Sequence, residues 1–177
     1  MRVLGIDPGA KVTGICVIDG RKVVASVDVA TAHDLFPAHR TYIQEVVNQA
    51  HRLLDTLQVQ TVAVEAITRP SWHMKGRAAA DPTALLATAE VLGGVLGFAW
   101  PVPIVQVQPG KNGSQPFGTY PPNLITPAER RAQGWQLKTA GKGRLCHQRS
   151  AYDVARAGLR LRAGMAHVWA TPTNRAM

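Results

Sequence analysis

Gly5-Ile6-Asp7-Pro8-Gly9-Ala10-Lys11-Val12-Thr13-Gly14 decides how this chain folds. It reads as the end of one strand, a tight turn and the start of a return strand, with an acid where the first strand stops. Arg2 to Ile6 is a short run of β-formers that Asp7-Pro8-Gly9 ends. Val12 to Ile18 is a second strand, and Asp19-Gly20 is a hairpin turn into a third, Lys22 to Val29. Three antiparallel strands are therefore expected at the start of the chain.

Outward from that hairpin set the periodicity changes. From about Pro37 to Leu57 the apolar residues Tyr42, Ile43, Val46, Val47, Ala50, Leu53, Leu54 and Leu57 recur at helical spacing. Thr61 to Val64 is a short apolar strand that ends at Glu65. Asp81-Pro82 opens a second helix, with Asp as N-cap and Pro at the first helical position, running to about Ala99. That helix is apolar nearly all round, which predicts burial on more than one side. Ile104 to Val107 is a fifth strand. Pro109 to Lys142 is rich in Gly, Pro and polar residues and reads as largely irregular. Within it, Thr126-Pro127-Ala128-Glu129 is a capping-box pattern for a short helix to about Gly134. A last helix spans about Arg149 to Ala163. The order β-β-β-α-β-α-β-(α)-α predicts an α/β fold, a mixed five-stranded sheet flanked by helices. Residues 1–165 form a single domain, and 166–177 a tail with no signal for order.

Three acids fall at comparable places. Asp7 ends the first strand, Glu65 ends the fourth, and Asp153 sits in the early turns of the last helix. Carboxylates at adjacent strand ends converge at the sheet edge, where α/β folds place their sites. Such a cluster repels itself unless a cation sits in it. Hard oxygen ligands suit Mg²⁺ or Mn²⁺, and two such ions can activate a water and stabilise the leaving oxygen of a phosphodiester. A lone Asp or Glu is more often a cap or a surface residue. For Asp7 the surrounding Gly-Ile-Asp-Pro-Gly turn weakens that reading.

Lys plus Arg number 20 against 11 acids, a formal charge of +9, which favours a polyanionic partner with nucleic acid the default. Arg130, Arg131, Lys138, Lys142, Arg144, Arg149, Arg156, Arg160 and Arg162 crowd the C-terminal third and suggest a phosphate-binding rim beside the acids. Lys111 and Lys142 sit in Gly-flanked loops. After Glu65, Arg69-Pro70-Ser71-Trp72-His73-Met74-Lys75 sets an aromatic among bases. Trp72 is a platform for an unpaired base, with Arg69 and Lys75 beside it on the backbone; packing against the next helix is the plainer role. Cys16 reads as a buried small hydrophobe, and neither it nor Cys146 has a partner at metal-site spacing. Cysteine usage fits a reduced, cytoplasmic compartment. No signal peptide opens the chain, and no apolar run is long enough to cross a bilayer.

The motifs together resemble those of RuvC-type Holliday junction resolvases. GIDPGAKVTG is similar to that family's first motif, G-I-D-P-G-x-x-x-T-G. VAVEA resembles the second, an apolar strand ending in Glu. SAYDVA resembles the third, D-x-x-D-A-x-A or the same with His in place of the first Asp. The resemblance covers roughly residues 1 to 163. It implies a ribonuclease-H-like fold, structure-specific cleavage of four-way DNA junctions, Mg²⁺ or Mn²⁺ in a two-ion site, and a homodimer. It assigns Asp7, Glu65 and Asp153 as metal-binding catalytic acids. The fourth family acid falls on Ser150, a weak neutral ligand, and His147 is the nearest alternative. Gly141-Lys142-Gly143 resembles a segment near a catalytic lysine. The loop holding Trp72 is where family members approach the junction centre. The DNA-binding set expected is then Arg69, Trp72, Lys75, Lys111, Arg130, Arg131, Lys138, Arg144 and Arg149. Three other readings compete. A sugar-kinase or actin-like ATPase would need a second lobe for which this chain is too short. A branched- or flap-DNA nuclease of the same fold is closer. The loss of the acid at 150 lends some weight to a non-catalytic nucleic-acid-binding module.

Overall fold

The computed structural model of the chain describes residues 1–67, 82–141 and 143–169, with side chains to 164. Five strands form one sheet: β1 (Arg2–Asp7), β2 (Val12–Asp19), β3 (Lys22–Ala30), β4 (Thr61–Glu65) and β5 (Ile104–Val107), in the order β3-β2-β1-β4-β5. β1 to β3 run antiparallel, as the two hairpin turns require, and β4 and β5 add in parallel beside β1. Helices α1 (Arg40–Leu57) and α2 (Pro82–Gly97) cover one face, and α4 (Cys146–Trp169) covers the other. Between β5 and α4 lies the segment 108–145. It contains 3₁₀ turns and the short helix α3 (Pro127–Arg130), whose capping box forms as its sequence predicts.

Alternation along each strand assigns side chains to faces. Leu4, Ile6, Val62 and Val64 point to the α1/α2 core, while Val3 and Ala63 point to α4. By the same parity Asp7 and Glu65, at the ends of β1 and β4, fall on the α4 side. Burying each large aliphatic side chain contributes about 1.5–3 kcal/mol, so the sheet register is strongly held. A Cβ at Gly5 would overlap the Ala151 carbonyl oxygen, and one at Gly14 that of His147. These two glycines let the main chain of α4 lie directly on the sheet, a packing role the sequence alone does not reveal.

Several boundaries differ from expectation. α1 begins at Arg40, not Pro37, because the His39 side chain caps it by accepting from the Thr41 N–H. Ala38 N–H is instead drawn to Glu90 of α2, at 2.5 Å. α4 starts at Cys146, one turn before Arg149, and continues to Trp169. α2 buries one face only within the chain, through Ala87, Val91, Leu92 and Val95. Leu86 is 53% exposed, and Ala89, Gly93 and Gly97 follow it at helical spacing on the open side.

Candidate active site

The turn after β1 is locked from within. Tyr42 of α1 donates to the Gly9 carbonyl at 2.9 Å. With that proton committed, the Thr13 hydroxyl donates to Tyr42 (2.8 Å) and accepts from Gly9 N–H (3.3 Å). The Thr of the motif therefore fixes the turn that carries Asp7.

Parallel pairing sets Ile6 opposite Val64, so Asp7 and Glu65 follow side by side at the sheet edge. Burial, then a hydrogen bond and charge from Asp7, push the Glu65 carboxyl up to about 7. Asn112 donates its amide to one Glu65 oxygen at 3.0 Å, and the Ser150 hydroxyl donates to the other at 3.4 Å. His147, in the first turn of α4, places Nδ1 3.2 Å from Asp7. That contact raises the imidazole pKa against the opposing effect of burial. An open cleft of about 340 Å³ is lined by Asp7, Asn112, Gly113, Ser114, Gly141, Cys146, His147 and Ser150.

Asp153 lies one turn along α4 from Ser150 and is held separately. Tyr120 donates to its Oδ2 at 2.7 Å and Gly113 N–H to the same oxygen at 3.0 Å. Burial raises its pKa and these two donors oppose the rise. Among the described residues no three acidic, His or Cys side chains gather as a ready-made metal cage. The donor set nonetheless fits a hard divalent cation, because Asp7 and Glu65 stand side by side at the sheet edge, where a cation would relieve their repulsion.

The remaining predicted residues separate into three groups. Lys111, Arg130, Arg131, Lys138 and Arg144 are exposed, as a phosphate-binding role requires. Arg69, Trp72, Lys75 and Lys142 lie outside the described residues. Arg149 is a correction. It is fully buried, paired with Glu129 at 3.1 Å, bonded to the Leu124 and Gly141 carbonyls, and set over the Phe117 ring. It ties the 108–145 segment to α4 and has no surface to offer DNA. On α2, Gly94 faces Ile43 of α1, whereas Gly93 and Gly97 open outward. Sequence reading missed Asn112, Gly113 and Tyr120. Their one signal was the Gly-bounded loop Gly110-Lys111-Asn112-Gly113, noted for its lysine.

A five-stranded mixed sheet in the order β3-β2-β1-β4-β5 with helices on both faces is a ribonuclease-H-like fold. Residues 3–93 match the family model described as "Crossover junction endodeoxyribonuclease RuvC". The chain belongs to that family, and so is a Holliday junction resolvase of the divalent-metal-dependent class. A structure of Thermus thermophilus RuvC in complex with Holliday junction substrate is 19% identical, with a TM-score of 0.58 over 93% of this chain and 97% of that one. A second Thermus thermophilus RuvC structure is 21% identical, with a TM-score of 0.55 over the same shares. No curated protein matches the sequence. Among the described residues no helix is long and apolar enough to cross a membrane.

Proposed function

We propose that Asp7 and Glu65 hold a divalent cation, Mg²⁺ or Mn²⁺, with Asp153 as the third acid and two ions in each active site. The observation that carries this reading is the placement of Asp7 and Glu65 side by side at the ends of adjacent parallel strands, where Asp7 raises the Glu65 carboxyl. When bound, the ions supply an activated water and charge stabilisation at the leaving oxygen. Ser150 replaces the fourth acid as a hydroxyl beside Glu65. His147 orients Asp7 through Nδ1, which leaves Nε2 to move a proton. Lys142 is the catalytic lysine of the adjoining loop.

The substrate is a four-way junction. Arg69, Trp72 and Lys75 meet its branch point, with Trp72 stacking on an unpaired base. Lys111, Arg130, Arg131, Lys138 and Arg144 contact phosphates. Two symmetric nicks require two equivalent sites, and a C2 homodimer provides them. The exposed Leu86 face of α2 suits that interface. Both cysteines are free, which supports action in the reducing cytoplasm. The test is cleavage of labelled four-way, flap and duplex DNA with Mg²⁺, Mn²⁺ or EDTA, alongside sedimentation. Junction-selective, metal-dependent cleavage by a dimer is expected. Equal cleavage of flaps would shift the assignment to a general branched-DNA nuclease, and cleavage in EDTA would remove the cation.

A further inference from the structure

We infer that Tyr120 is a positioning residue for Asp153, fixing which oxygen that carboxylate presents to a divalent cation. The inference rests on the reading of Asp153 as a metal-binding acid. Tyr120 is only 4% exposed, and its ring packs at 6.0 Å from that of Tyr152, so the phenol is part of the core. Gln115 N–H donates to the phenol oxygen at 3.1 Å. A phenol has one proton, and with its oxygen accepting from Gln115 that proton goes to Asp153 Oδ2 at 2.7 Å. Gly113 N–H meets the same oxygen at 3.0 Å. Both donors hold Oδ2, and the other oxygen is left for a cation. A carboxylate pinned in this way loses less freedom when it ligates. The phenol is supplied by the segment that also brings Asn112 to Glu65, so one loop sets the orientation of two acids.

The test is Mn²⁺ binding to the full chain without DNA, read by electron paramagnetic resonance, with melting temperature measured in parallel. Tyr120→Phe keeps the ring and removes the donor. It should weaken Mn²⁺ binding by about 10–100-fold, the usual effect of losing a partner that orients a ligand, with melting temperature nearly unchanged. Asp153→Asn should weaken Mn²⁺ at least as much. The double variant should be no weaker than Asp153→Asn, because Tyr120 acts through Asp153. Unchanged Mn²⁺ affinity in Tyr120→Phe, with Asp153→Asn impaired, would overturn the role of Tyr120 alone. Additive losses in the double variant would also overturn it, by showing an effect independent of Asp153. Unchanged affinity in Asp153→Asn would overturn the ligand reading beneath it, and this inference with it.

Discussion

The hairpin that carries Asp7 and the 108–145 segment reach the same cleft by opposite means. The hairpin is built of backbone ladder, a Thr13–Tyr42 lock and two glycines beneath α4. Its acid is placed by where a strand ends. The segment has little regular structure, and isolated hydrogen bonds from Asn112, Gly113 and Tyr120 hold Glu65 and Asp153. One region decides where the acids begin; the other decides how they are aimed. The difference teaches that chemistry and precision in this site can be removed separately.

The sharpest break of that comparison is Asp7→Asn. It should abolish junction cleavage while leaving junction affinity unchanged, since it removes the charge of the proposed metal ligand and no contact to DNA. Retained cleavage would show that the hairpin acid is not essential. Arg149→Met attacks the other region. It removes a buried cation from Glu129 and two carbonyls, which costs about 3 kcal/mol, or about 6–12 °C in a chain of this size. Cleavage should fall with the hairpin intact. A stable, fully active variant would show that the segment docks without this strut.

Charge reversal at Arg130 and Arg131 is a milder probe, asking whether the segment also carries DNA. Affinity should fall and its dependence on salt should flatten, because fewer counterions are released. Mn²⁺ affinity should stay constant. An unchanged salt slope in fluorescence anisotropy would place the phosphate track elsewhere. The smallest expected effect is in pH. Glu65 has a folded pKa near 7, above its unfolded value. The folded state therefore binds more protons between the two values, and metal-free stability declines as pH rises through that window to about 7. Melting in EDTA should be higher at the acid end. Glu65→Gln should reduce the slope, and an identical slope would deny that Glu65 titrates in that window.

How much of this was legible in the sequence follows the same division. Strand ends and helix periodicity are local, so all five strands, the capping box at Thr126 and the places of Asp7, Glu65 and Asp153 could be read directly. Arg149 was misread because charge alone does not tell an exposed cation from a buried one. Its partners, Glu129 and the Leu124 and Gly141 carbonyls, are brought to it by the fold of an irregular segment. Tyr120 stood in a Pro-rich stretch with no periodicity to point it inward. His147 was expected just ahead of the last helix, and the earlier start at Cys146 turned it onto Asp7.

The contact of α4 with Gly5 and Gly14 decides which substitutions the sheet can bear. The helix is registered on the sheet by main chain against main chain, at Ala151 and His147. Buried Ala151, Tyr152, Val154 and Ala155 complete that contact. A side chain at Gly5 or Gly14 would push the helix off the sheet and carry Asp153, Ser150 and His147 with it, so these two positions are closed to any residue larger than glycine while the helix keeps its place.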